Sequence, residues 1–150
     1  EILIGLVGSE MCIRDSRSGA DTGDVKKLFQ NDLSGVIARY DIIRTARMYH
    51  NDIAVAAVDH TVGRVTAAQA ADELLNISGI DASFVLFPDA DGERVVISAR
   101  SMGDTNVQVV LEKLGGGGNA ATAGAQVPSG SVEEVLQRLL RAIDQYFEED

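Results

Sequence analysis

The sequence predicts an α/β fold, a small mixed β-sheet flanked by helices, and three observations carry that prediction. Residues 53–58 (IAVAAV) are apolar on both faces and too few for a stable helix, so they read as a strand buried above and below. Two more short apolar runs, 82–87 (ASFVLF) and 94–101 (RVVISARS), are interleaved with stretches of helical period. The last of those stretches is the most regular: Val132, Val135, Leu136, Leu139, Leu140, Ile143, Tyr146 and Phe147 fall on one apolar stripe.

Residues 21–30 (DTGDVKKLFQ) read as a short helix with Asp21 or Thr22 as its cap, and Asn31-Asp32 punctuates the chain. A longer helix follows, with Leu33, Val36, Ile37, Tyr40 and Ile43 on one stripe, and His50-Asn51-Asp52 ends it. Residues 66–77 form a helix opened by Thr66 as its cap. The turn-forming string 88–92 (PDADG) closes the second strand and returns the third, 94–101, as its hairpin partner. Residues 106–114 (NVQVVLEKL) are helical and run into Gly115, Gly116, Gly117 and Gly118. After the glycines, residues 119–123 can start a new helix, and Ser131 to Glu134 is a capping box that opens the last one.

With 150 residues, 45% apolar and 24% charged, the chain can build one modest domain with a real core, of Val, Ile, Leu and Ala since Trp is absent. A net charge of −10 argues against an extended nucleic-acid surface, which needs basic residues to displace counterions, but not against a small anion held by a few placed donors. No apolar run approaches the roughly 20 residues that span a bilayer. Residues 6–15 (LVGSEMCIRD) resemble the frame translation of a sequencing-library adapter, so residues 1–16 are set aside as non-native, and Cys12, the sole cysteine, with them. Without it, neither a disulfide nor a thiolate nucleophile is available.

Gly115 to Gly118 is the chemically informative stretch. Four consecutive glycines cost backbone entropy, so an ordered run serves positions where a side chain would not fit. A glycine loop entering a helix amino terminus presents free N–H groups to an anion; the other reading is a flexible linker between two helices. No lysine follows the glycines, and a helix rather than a strand precedes them, so neither a P-loop nor a dinucleotide fingerprint is present. Arg100, at a strand end, either forks onto a phosphate or reaches solvent. Asp104 and Asn106 either position a ligand or cap the following helix, and capping is the simpler account. Asp59-His60 follows a strand with no second ligand nearby in sequence, and His50 suits a helix carboxy terminus.

Residues 97–118 (ISARSMGDTNVQVVLEKLGGGG) and 119–126 (NAATAGAQ) resemble the DHH-associated domain of the cyclic di-AMP phosphodiesterases. Gly19-Ala20-Asp21, Lys27 to Gln30, and 48–54 (MYHNDIA) resemble the end of the DHH domain and the connector in that family. The resemblance implies that residues 17–50 are the last helices of a DHH domain with a connector helix, and that 51–150 are the nucleotide-binding DHH-associated domain. It implies a parent hydrolase in which Mn2+ on the upstream DHH domain activates a water that opens cyclic di-AMP to linear pApA. This stretch then holds the substrate and has no catalytic residue, metal ligand or cofactor of its own. Arg100, Gly115, Gly116, Gly117, Gly118 and Asn119 become substrate contacts. The implied partners are a cyclic dinucleotide or short oligonucleotide and the DHH domain of the same chain. The implied location is cytoplasmic, in a parent often anchored in the membrane by upstream helices.

The family motif commonly ends in His where this sequence has Asn119, which can donate a neutral hydrogen bond but cannot carry charge. Asp59-His60-Thr61 is not the family's metal motif. An oligoribonuclease-type phosphoesterase domain, a nucleotide-binding module that does not hydrolyse, and the related domain of alanyl-tRNA synthetases remain as alternatives.

Overall fold

The structure, a computed structural model, describes residues 33–129 and 131–149. The expected helix over 21–30, the adapter-like segment 1–16 with Cys12, and the motif residues 19–21 and 27–30 lie outside the described residues. Residues 37–150 group as one compact unit. The elements are α1 (Leu33–Arg44), β1 (Arg47–Tyr49), β2 (Ile53–Ala57), α2 (Arg64–Leu75), β3 (Ala82–Pro88), β4 (Arg94–Ser101), α3 (Val107–Glu112), β5 (Gly117–Gly118), β6 (Thr122–Pro128) and α4 (Val132–Glu149).

The six strands form one mixed sheet in the order β1-β2-β3-β4-β6-β5. β2 and β3 are parallel, joined by the α2 crossover, and every other pair is antiparallel. This is the small mixed sheet flanked by helices that the sequence predicts. One face buries Phe84, Leu86, Val95 and Ile97 against Val110 and Leu111 of α3 and Leu139 and Ile143 of α4. The other buries Ala54, Ala56, Val85 and Phe87 against Ala67, Ala70, Ala71 and Leu74 of α2, with Ile42 of α1. α2 approaches closely because its inner face is alanine. It is also held by the buried Ser83 hydroxyl, which donates to the Ala71 carbonyl at 2.7 Å.

Several expectations change. The first described helix ends at Arg44, and 47–49 form edge strand β1, so His50 sits in a β1–β2 turn at φ 57 instead of at a helix end. The helix's buried residues are Arg39 and Ile42, while Leu33, Ile37 and Tyr40 of the expected stripe are exposed. Arg39 turns inward to Glu73 of α2, with Nε 2.6 Å from Oε1. α2 starts at Arg64 with Gly63 in the cap position, which leaves Thr66 inside the helix. The capping box forms by half: Ser131 Oγ accepts from Glu134 N at 3.1 Å, but the Glu134 carboxylate accepts from Ser129 Oγ at 2.7 Å.

The largest departure follows the glycines. Residues 119–123 do not begin a helix; they turn the β5–β6 hairpin and enter β6, which pairs with β4 along its whole length. Ala123, Ala125 and Val127 point into the core, and Thr122, Gly124 and Gln126 are exposed on the α2 side. α2 lies over β3 and β4. The half of that face belonging to β6 stays uncovered.

Candidate functional site

α3 opens with Asn106, whose side chain accepts from Val109 N at 3.2 Å, so capping is its role. α3 closes with a glycine in the left-handed region: Gly115 (φ 84) gives its N–H to Glu112 O at 3.2 Å, and Gly116 N reaches back to Leu111 O at 2.8 Å. That is a Schellman ending, and it swings the chain alongside β6. A β-carbon on Gly116 would lie 2.7 Å from that of Ala125, and one on Gly118 would strike the Thr122 carbonyl. Gly117 differs from its neighbours. Its φ is ordinary and a β-carbon there would meet nothing within 4 Å, so the fold itself does not require a glycine at this position.

Gly117 faces a cleft of about 580 Å³. The floor is β4 and β6, where Ser98 pairs with Gly124 and Val96 with Gln126. Gly115, Gly116 and Gly117 form one wall, and Arg64 and Ala68 of α2 form the other. Arg100 enters from the far end of β4. Its side chain is 19% exposed; Nε is 3.2 Å from Asp72 Oδ1 of α2 and Nη1 donates to Ala99 O at 2.8 Å. Arg100 is therefore neither a free strand-end side chain nor buried, but aimed along the floor by α2. Arg64 is 3.9 Å from Asp89, and Arg94, on the same face of β4, donates to Gln126 Oε1 at 3.2 Å. In a chain of net charge −10, three guanidinium groups lie on and beside one cleft, two of them paired with the carboxylates of Asp72 and Asp89.

The structure thus brings together Arg100, Gly115, Gly116 and Gly117. Gly118 and Asn119 fall outside the cleft lining. Asn119 Oδ1 accepts from Ala121 N at 3.0 Å and Thr122 N at 2.9 Å, which spends its acceptor on the hairpin turn. No helix amino terminus follows the glycines, so the backbone they offer is a strand edge. Arg64, Asp72, Ser98 and Gln126 escaped the sequence reading. The available signal was alternation: Val96-Ser98-Arg100 and Thr122-Gly124-Gln126 each repeat with period two, as a half-exposed strand does.

A second polar cluster lies on the α4 side. The Tyr49 hydroxyl is 2.9 Å from both Asp144 oxygens, and His50 Nε2 is 2.7 Å from Oδ1. The His50 contact first, then that of Tyr49, holds the Asp144 carboxyl below the ordinary carboxylate range. The Tyr49 hydroxyl is pushed up, chiefly by its bond to Asp144 and then by burial. His50 also stacks on Phe147 at 4.9 Å, so the cluster pins the β1–β2 turn to α4. His60 pairs with its exposed neighbour Asp59, at 3.4 Å. Among the described residues no three His, Cys, Asp or Glu side chains converge to hold a metal ion.

The DHHA1 domain model matches residues 50–149, and the chain belongs to this family. It is 45% identical over 132 residues to the cyclic-di-AMP phosphodiesterase GdpP of Geobacillus thermodenitrificans, covering 87% of this chain and 20% of that protein. It is 40% identical over 131 residues to the cyclic-di-AMP phosphodiesterase PdeA of Listeria monocytogenes, covering 86% and 20%. The chain therefore spans about a fifth of the length of these curated relatives. An exopolyphosphatase-related protein from Bacteroides fragilis shares the fold, with a TM-score of 0.70 at 19% identity over 84% of this chain and 39% of that one. Among the described residues no helix is long and apolar enough to cross a membrane.

Proposed function

We propose that this domain holds the nucleotide substrate of a phosphodiesterase that hydrolyses cyclic di-AMP to linear pApA. Cleavage itself is assigned to a Mn2+-bearing DHH domain of the same parent chain, in the cytoplasm, outside the described residues. The observation that carries the reading is Gly117. Three of the four glycines are explained by the fold, through left-handed backbone or close approach to β6, and Gly117 is not. A glycine that the fold does not need, set across a cleft from Arg100, is explained by a ligand that approaches the backbone there. The similarity to proteins named cyclic-di-AMP phosphodiesterases supplies the ligand class.

In this reading Arg100 takes a phosphate oxygen and Gly115 to Gly117 pass against the sugar-phosphate backbone. Asn119 acts through the turn it closes. Calorimetric titration of the chain with cyclic di-AMP tests this. Wild-type protein binds, and Gly117→Val, which leaves the fold intact, does not. An absence of binding by the wild type, or equal binding by Gly117→Val, overturns the reading.

A further inference from the structure

We propose that Gln126, oriented by Arg94, reads the base of the bound nucleotide and selects adenine over guanine. The inference rests on the reading of the cleft as a nucleotide site and goes on to what that site recognises. The cleft has two unlike ends. Arg100 and Ser98 form a polar end, Ala68, Phe87 and Val96 give the other an apolar floor, and the glycine wall runs alongside β6 between them. Val96 and Arg100 are four residues apart on β4, roughly 13 Å at the rise of a strand, which is on the scale of one nucleotide. A phosphate at Arg100 therefore places its base over Val96.

Gln126 is the cross-strand partner of Val96, so its side chain stands at the edge of that apolar floor. Arg94 Nη1 donates to Gln126 Oε1 at 3.2 Å. A guanidinium can only donate, so this contact fixes which end of the amide is oxygen. Oε1 keeps a second lone pair and Nε2 keeps both protons. One acceptor beside one donor matches the N6–H donor and N7 acceptor of adenine. Guanine presents O6 where adenine has N6–H, which sets acceptor against acceptor. Arg64, at the same end, would by itself favour the O6 and N7 of guanine, but its guanidinium leans towards Asp89 at 3.9 Å.

The test is titration of the chain with cyclic di-AMP and with cyclic di-GMP, using wild type, Gln126→Ala, Gln126→Met and Arg94→Ala. Both positions are exposed, and unchanged thermal midpoints confirm the fold. Wild type prefers the adenine ligand. Both Gln126 variants lower that preference roughly tenfold while binding of the guanine ligand hardly changes, and Arg94→Ala lowers it by less. Equal binding of the two ligands by wild type, a preference for guanine, or an unchanged ratio in the Gln126 variants overturns this inference alone. If wild type binds neither ligand, the nucleotide reading of the cleft fails and this inference fails with it.

Discussion

A β-carbon on Gly116 would collide with the carbonyl oxygen of Gly124, so the glycine wall and β6 touch backbone to backbone. The next residue, Gly117, has open space where its side chain would be. Two adjacent glycines therefore separate stability from binding. Gly116→Ala is expected to cost about 1–3 kcal/mol through forced overpacking. Gly117→Ala should stay within about 0.5 kcal/mol of wild type, as surface changes do. Urea denaturation of both variants decides it, and equal losses would show that the wall is packed differently.

Arg100 is aimed by Asp72 and Ala99, so its contribution to binding depends on the fork as well as the charge. Arg100→Ala should weaken cyclic di-AMP binding by about 1.5–3 kcal/mol, the range for a charge-assisted hydrogen bond. Arg100→Lys should recover only part of this, because a lysine cannot be held by Asp72 while forking onto phosphate. Titration calorimetry measures both; wild-type affinity in Arg100→Ala would remove Arg100 from the site.

The domain should turn over no cyclic di-AMP by itself with Mn2+ present. The basis is the proposal that cleavage belongs to a DHH domain elsewhere in the parent chain. Chromatography of a long incubation would show it, and linear pApA formed in proportion to added Mn2+ would place the chemistry inside this domain.

The Asp144 cluster predicts a pH dependence of stability. Its carboxyl is held low, first by His50 and then by Tyr49, so it stabilises the fold at pH values above the unfolded carboxyl pKa of about 3.9. That contribution disappears as pH falls through the lower folded value. The Tyr49 hydroxyl is held high, so its contribution is present below about pH 10 and is lost as pH rises through its raised folded value. Urea midpoints across the acid range should fall less steeply for Asp144→Asn than for wild type. Parallel curves would mean that the cluster does not couple to folding.

How much of the fold and the site was legible in the sequence depends on what holds each segment in place. α4 carries its own proof, since every residue of its apolar stripe meets the core. β2, β3 and β4 were readable because their runs are too short and too apolar for a surface helix. β6 was not, because Ala120, Ala121 and Ala123 favour a helix locally, and pairing with β4 overrides that preference. β1 has three residues and exists only as the partner of β2. Within the candidate site, Arg100 and the glycines stood out as residue types. Arg64, Asp72 and Gln126 became visible only once the register of β4 with β6 and the placement of α2 set them around one cleft.

The uneven cover that α2 gives the sheet has a consequence for how the domain opens. The floor of the cleft and its glycine wall come from one stretch of chain, between Arg94 and Gln126, tied by the continuous β4–β6 ladder. The opposite wall belongs to α2, whose grip on the sheet is a row of alanines with Leu74, one serine hydroxyl and the Arg100–Asp72 ion pair. Alanines bury little area each, so this helix is the low-stability unit of the pair. Amide exchange should show α2 loosening first while the β4–β6 amides stay protected, leaving a floor that persists and a lip that breathes.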